Sequence, residues 1–294
     1  MASFVKQIDL GLEKKLKNDL KEQDFEFSCP QYTCFQAKKK HLTVTLYTSG
    51  KLVVQGKNMQ EFIEFYLEPL LNDFSYSYKE LYTDTTPHIG SDEAGKGDFF
   101  GPLCVCAAYA SEQDIRRLLD DGIKDSKTIS DKKILKLTDK IRQYLTFEVI
   151  AISPVKYNLL YETFQNLNEL LAWGHARAIH KVYEKTGCDQ VLVDQFAKKH
   201  VLEKKIAHLK IPITLVQRTK AEEDVVVAAA SVLARHAFLK GMEQLEKIAK
   251  CPIPKGASKK VIETGYLLRE KGFELKNFAK THFKTHDEIL KRSS

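Results

Sequence analysis

From residue 85 onward, short apolar runs alternate with helical patterns, and this alternation limits the fold more than any other feature of the 294-residue chain. Apolar runs lie at 88–90, 103–110, 147–152, 190–194 and 213–216. Between them, apolar residues recur at helical spacing over 112–119, 130–145 and 167–185. A Lys-rich helix precedes the run at 213–216, and a further helix begins near Glu223 and passes through AAASVLARHAFL. Strands interleaved with helices predict an α/β fold with a mixed or largely parallel central sheet and helices on both faces. The run Gln190-Val-Leu-Val-Asp194 reads as a buried strand that ends in a carboxylate. Carboxyl ends of such strands face the crevice where α/β sheets do chemistry; the other reading of Asp194 is a cap for the next helix.

The first 84 residues follow a different rhythm. Ile8, Leu10, Leu12, Leu16 and Leu20 predict a helix over 6–23, and Leu42, Val44 and Leu46 alternate as a strand. The chain turns at Ser49-Gly50 and resumes at Leu52-Val53-Val54, and Asn58 is placed to cap a helix through Phe62, Phe65, Tyr66 and Leu70. Helix, hairpin and helix make a small α+β unit, and a polar connector ending at Pro87 puts the boundary between domains 1–84 and 85–294. The longest apolar run, 225–234, is about half of the roughly 20 residues a membrane span needs, and the first residues hold no apolar stretch, so no membrane partner or secretion is expected. Six cysteines without a CxxC pair predict reduced thiols in a cytoplasm, with neither disulfides nor a zinc site.

Charge is unevenly spread. Residues 1–84 carry 11 basic and 12 acidic side chains, residues 85–195 carry 14 and 16, and residues 196–294 carry 21 and 11. A basic last third beside a slightly acidic middle suits a protein that grips a polyanion and holds divalent metal against it; solvated lysine-rich helix faces would give the same count.

The chemistry concentrates in GSDEAGKGDFFGP, residues 90–102. Gly90, Gly95 and Lys96 have the spacing of a phosphate loop, but Gly97 stands where that loop needs a hydroxyl, and Asp92 and Glu93 would repel phosphate. The better geometry puts Asp92 and Glu93 at the end of a core strand, where a twist or bulge is needed to bring adjacent carboxylates to one site. Gly95-Lys96-Gly97 then lets the backbone approach a sugar-phosphate closely. An ordinary acidic turn is the alternative. Glu222, Glu223 and Asp224 precede the AAAS helix, where acids also complement the helix dipole.

Together these pieces resemble the type 2 ribonuclease H family, most closely its bacterial ribonuclease HIII branch. The resemblance rests on Asp92-Glu93-Ala94-Gly95-Lys96-Gly97 with Gly101-Pro102, on Asp125-Ser126-Lys127 and on Asn168 in NLNELLAWGHARAI. It continues through Val193-Asp194, Thr219-Lys220-Ala221-Glu222, AAASVLAR and Pro254-Lys255-Gly256-Ala257-Ser258, covering about 85 to 275 in the family's order. The HII branch would have Arg in place of Lys96, an Asp near Glu222, and no counterpart of residues 1–84. The resemblance implies a ribonuclease H-like mixed sheet flanked by helices, preceded by a small α+β TATA-binding-protein-like domain that binds substrate.

It further implies that Asp92, Glu93, Asp194 and Glu222 are catalytic acids and metal ligands, with Glu223 and Asp224 competing for the fourth place. Crowded carboxylates repel unless cations neutralise them, and oxygen-only ligands select Mg²⁺ or Mn²⁺, two ions during catalysis. Gly95, Lys96 and Gly97 would sense the 2′-hydroxyl, and Ser126, Lys127 and Lys220 would contact the nucleic acid. The implied partner is an RNA/DNA hybrid, cut by a monomer in its RNA strand to leave 5′-phosphate and 3′-hydroxyl ends. Two readings stay open beside it: action at single ribonucleotides embedded in DNA, and a catalytically inactive hybrid-binding protein. His175 and His180, five residues apart, share no helix face, and His282 and His286 lack a third ligand.

Overall fold

The computed structural model describes residues 3–78, 84–123, 126 and 129–291. Contacts divide the chain into two compact units, Met1–Asp84 and Thr85–Ser294.

In the smaller unit, five antiparallel strands run β1 (Ser3–Gln7), β2 (Glu26–Ser28), β3 (Thr33–Lys39), β4 (Leu42–Tyr47) and β5 (Lys51–Gly56), in the order β1-β5-β4-β3-β2. The helix predicted over 6–23 is shorter. Ser3–Gln7 pairs with β5 instead, and the Asp9 carboxylate accepts from Gly11 N at 2.8 Å to open a 3₁₀ turn ahead of the Glu13–Glu22 helix. Phe35, Ala37, Val44, Leu46, Leu52 and Val54 face one way and pack with Leu16, Leu20, Ile63 and Leu67. Gln36, Lys38, Thr43, Lys51 and Gln55 alternate onto the other face and stay at least partly exposed. Past the sheet, the Met59–Phe62 helix runs through a π turn at Ile63–Leu67 into Glu68–Leu71. Asn58 precedes it without a side-chain capping bond; its carbonyl takes Phe62 N at 3.1 Å.

The larger unit holds β6 (His88–Ala94), β7 (Leu103–Ala110), β8 (Thr146–Ile152), β9 (Gln190–Asp194) and β10 (Thr214–Arg218), in the order β10-β9-β6-β7-β8. β9 lies parallel to both β6 and β10, while β7 is antiparallel to β6 and β8, so the sheet is mixed. One face is covered by the Leu167–Thr186 and Lys199–Ala207 helices, which bury Ile89, Val191 and Val193. The other is covered by the long Val225–Ala249 helix with the Glu112–Asp120 and Asp131–Ile141 helices. β7 is buried along nearly its whole length, as a strand covered on both sides must be.

Gly90 is a packing residue within β6 and no part of a phosphate loop. A Cβ there would lie 2.5 Å from Val227 N and 2.6 Å from Val226 C, so its absence lets the long helix rest on the strand. Among the described helices only Val225–Ala249 is long and apolar enough to cross a membrane, and 67% of its apolar window is buried inside the fold, which makes it a core helix. Three helices at Pro154–Phe164, Lys259–Glu270 and Lys284–Lys291 complete the unit without a counterpart in the sequence reading.

Candidate active site

The acids meet at one end of the larger sheet. β6 and β9 pair in parallel through Ile89↔Val191, Gly90↔Leu192 and Ser91↔Val193. Asp92 and Asp194 are each the next residue, so both leave the sheet at its carboxyl-terminal edge on the same side. β6 reaches Ala94 in unbroken register with β7, Asp92↔Cys106 and Glu93↔Val105. Of the twist or bulge expected there, β6 has no bulge, and consecutive side chains take opposite faces. Asp92 shares the face of Gly90, under the Val225–Ala249 helix. Glu93 shares the face of Ser91 and Ile89, under the Leu167–Thr186 helix.

The Glu222 segment is tied to the same edge. Asp194 is in register with Arg218 of β10. Beyond it Lys220 adopts a left-handed conformation, φ +60°, and starts the 3₁₀ turn Ala221–Glu223. Ala221 N donates to Asp194 Oδ1 at 3.0 Å, which sets Glu222 beside Asp194. The three consecutive acids now separate by environment. Asp224 Oδ1 accepts from Val226 N (2.9 Å) and Val227 N (3.0 Å) as the cap of the long helix, and lies 3.1 Å from His88 Nε2. Burial pushes its carboxyl up, but His88 and the two amides outweigh this and hold it below the usual carboxylate range. Glu223 is 73% exposed and faces Lys220 at 4.0 Å. Glu222 Oε2 is buried and finds no hydrogen-bond partner among the described residues. An orphaned carboxylate oxygen at a cluster of acids is what a hard cation would satisfy.

Asp92 is 4% exposed, and its Oδ1 accepts from Glu93 N at 2.7 Å. Glu93 Oε2 lies 3.2 Å from His175 Nε2, and Oε1 lies 3.5 Å from Lys96 Nζ. Burial pushes the Glu93 carboxyl up, yet the His175 hydrogen bond and the charges of His175 and Lys96 leave it lowered overall. His175, fully buried on the Leu167–Thr186 helix, is the site residue that sequence reasoning missed. It sits on a stripe with Leu171, Ala172, Ala176, Ala178 and Ile179, and that apolar stripe was the available signal. A carbonyl cannot donate, so the one Ser91 hydroxyl proton goes to Cys106 O (2.7 Å) and Ser91 Oγ accepts from His175 Nδ1 (2.8 Å).

The four acids converge on one sheet edge but do not close into a cage. Among the described residues no three His, Cys, Asp or Glu side chains form a group that could hold a metal. Glu93 Oε2 is held by His175 with Oε1 toward Lys96, and Asp194 Oδ1 accepts from the Ala221 amide.

The glycine turn beside the acids is braced from behind. Gly95 has φ +87°, and a Cβ there would fall 2.3 Å from Pro102 O, so its own chain requires the glycine. Gly97 has nothing within 4 Å of a Cβ position and leaves open surface. Buried Lys280 donates to Asp98 O (2.7 Å) and Gly101 O (2.8 Å), and Gly256 N donates to Asp98 Oδ1 (2.6 Å). Lys96 Nζ sits 5.8 Å from the centre of the Phe196 ring. Lys220 is 76% exposed at the rim. Ser126 is buried with its hydroxyl 2.6 Å from Ser231 Oγ on the long helix, so it points into the fold. Asp125 and Lys127 lie outside the described residues. His282 stacks on Tyr161 at 4.3 Å, an aromatic packing role.

The profile of the ribonuclease HII family matches residues 89–286, and a domain of unknown function matches residues 3–76. The chain is 50% identical over 290 residues to a ribonuclease HIII of Protochlamydia amoebophila (strain UWE25), covering 98% of this chain and 96% of that one. It is 46% identical to a ribonuclease HIII of Chlamydia pneumoniae, covering 97% of each. Among solved structures, that of Bst-RNase HIII in complex with Mn²⁺ superposes with a TM-score of 0.69 at 26% identity, covering 100% of this chain and 99% of that one. With the acid-bearing strands and both units thus matched end to end, the chain belongs to the ribonuclease HII family, in its ribonuclease HIII branch.

Proposed function

We propose that the chain is an endonuclease that hydrolyses the RNA strand of RNA/DNA hybrids at the edge where β6 and β9 end. The observation that carries the reading is the burial of Glu222 Oε2 without a partner beside Asp194, at the same edge as Asp92. Asp92, Glu93, Asp194 and Glu222 would hold Mg²⁺ or Mn²⁺, since carboxylate oxygens select hard cations. When bound, a pair of such ions would supply charge neutralisation at the scissile phosphate and activation of a water.

The protein's own part is placement. Gly97 leaves room for a sugar to approach the backbone of Gly95, Lys96 and Gly97, where a 2′-hydroxyl can be sensed. Lys96 and Lys220 stand at the rim to meet phosphates, with Lys127 assigned the same task by its motif. Cleavage leaves a 5′-phosphate and a 3′-hydroxyl. All four acids belong to the unit Thr85–Ser294, so one copy of the chain suffices and a monomer is the working form. The smaller unit is assigned to holding the hybrid through its partly exposed sheet face. Six free cysteines suit a reducing cytoplasm.

The test is cleavage of an end-labelled hybrid with Mg²⁺, Mn²⁺ or EDTA, for the wild type and Asp194→Asn. Metal should be required, and Asp194→Asn should lose about 10³-fold or more of the rate while still binding hybrid. Full activity in that variant rejects the site. Preference for a duplex with a single ribonucleotide over an all-RNA strand would move the chain's activity to the HII type.

A further inference from the structure

We infer that His175, anchored by Ser91 and covered by Phe196, is a positioning residue that fixes the Glu93 carboxylate for hydrolysis. The inference rests on the assignment of Glu93 made above.

The starting point is an asymmetry among the four acids. Regular pairing of β6 sends Glu93 to the face opposite Asp92, so Glu93 alone must reach around the strand end to act with the other three. A glutamate side chain left to itself spreads over several staggered rotamers, and ordering it costs conformational entropy. Here Oε2 is tied to a ring that cannot swing. His175 Nδ1 is bonded to Ser91 Oγ, and the ring stacks on Phe196 with centroids 4.8 Å apart and planes 7° from parallel. Oε1 is then the oxygen left facing Lys96.

The anchor is also shared between strands. Ser91 lies two residues before Glu93 on one face of β6, and Phe196 lies two residues beyond Asp194 of β9. One ring therefore joins the acid-bearing ends of both central strands. Any buried histidine needs partners for its two nitrogens. The choice of partners is what indicates function: one is the acid itself, the other the hydroxyl that precedes it on the same strand face.

The test compares His175→Ala, His175→Gln and Ser91→Ala with Glu93→Gln as reference. Steady-state hybrid cleavage, Mn²⁺ binding to the substrate-free protein by calorimetry, and Tm are measured for each. His175→Ala should lower kcat about 10–100-fold and weaken Mn²⁺ binding by about 10-fold, with KM for the hybrid within about twofold of wild type. His175→Gln, whose amide can still donate to Glu93, should recover part of kcat. Ser91→Ala should show a smaller loss in the same direction, and these two carry the test if His175→Ala does not fold. A lowered Tm with unchanged kcat and Mn²⁺ affinity overturns the inference, as does a gain in kcat. An inactive Glu93→Gln beside fully active His175 variants overturns the role of His175 alone. A fully active Glu93→Gln overturns the assignment of Glu93 and the inference with it.

Discussion

The two five-stranded sheets of this chain solve the burial problem differently. The antiparallel sheet of the smaller unit buries one face, and its strands alternate: Val44, Leu46, Leu52 and Val54 inward, Thr43, Lys51 and Gln55 outward. The mixed sheet of the larger unit is covered on both faces, and β7 is buried almost throughout. A sheet with an open face can offer a surface. A sheet without one can offer only the ends of its strands, and that is where Asp92, Glu93 and Asp194 stand. The same contrast explains Gly90, which permits backbone-to-backbone approach where a helix lies on the central strand.

The largest expected effect tests that contrast directly. Gly90→Ala puts a methyl group 2.5 Å from Val227 N, against backbone that cannot rotate away. We expect a loss of about 3 kcal/mol or more in urea unfolding, or no folded protein. Thr43→Ala, on the partly exposed face of the smaller sheet, should cost about 1 kcal/mol or less. Similar losses in the two variants would show that the faces are not differently covered.

Each unit also buries one charged side chain that straps a loop, with opposite consequences for pH. Glu68 accepts from Tyr76 N (2.8 Å), Ser77 N (2.9 Å) and Ser77 Oγ. Burial pushes its carboxyl up, but these donors outweigh it and the net direction is down. Its stabilisation is therefore present above the unfolded carboxylate value and lost as pH falls through the folded one. Lys280 donates to the Asp98 and Gly101 carbonyls and lies 5.7 Å from the centre of the Tyr157 ring, and burial lowers it from 10.5 to about 8. Between those values the unfolded chain binds the extra proton, so stability rises with pH across that window. Against Lys280→Met, the wild type should gain about 3 kcal/mol from pH 7 to pH 10.5, read from Trp173, the single tryptophan and a member of the larger unit. Glu68→Gln should cost about 1.5–3 kcal/mol at pH 7, shrinking toward pH 3, by hydrogen exchange in the smaller unit. Parallel pH profiles for wild type and variant would remove either account.

How much of this was legible in the sequence follows from the range of each interaction. Gln190–Asp194 could be read because an apolar run stops at a carboxylate within five residues. Ser3–Gln7 could not, since its partners are residues 51–55 and the apolar spacing from Ile8 onward suggested helix. The Pro154–Phe164 helix leaves Val155 and Leu159 exposed, so no single apolar stripe announced it. The proposed acids were named from the motif alone, and the structure places Asp92, Asp194 and Glu222 at one sheet edge. The different surroundings of Glu222 and Asp224 needed the cap bonds of Asp224, and the opposite facing of Asp92 and Glu93 needed the register of β6 with β7. His175 was placed on a buried stripe by its neighbours, but Ser91 and Glu93 lie more than 80 residues away, beyond any local pattern.

The smallest effect bears on what the open face is for. Lys38 and Lys39 are adjacent on β3 and so leave on opposite sides. Lys39 Nζ donates to Gln23 O at 2.7 Å and lies 5.8 Å from the Phe25 ring, a contact within its own unit. Lys38 is exposed on the side of Gln36 and Thr43, and Lys51 on the side of Gln55. If the hybrid lies on that face, Lys38→Glu and Lys51→Glu should each flatten the slope of log affinity against log salt by about 1, with kcat unchanged. Lys39→Glu should instead lower the stability of the smaller unit and leave the slope alone. Equal slopes for all three variants and the wild type would mean that the open face meets no phosphate, and that the division of work between the two sheets lies elsewhere.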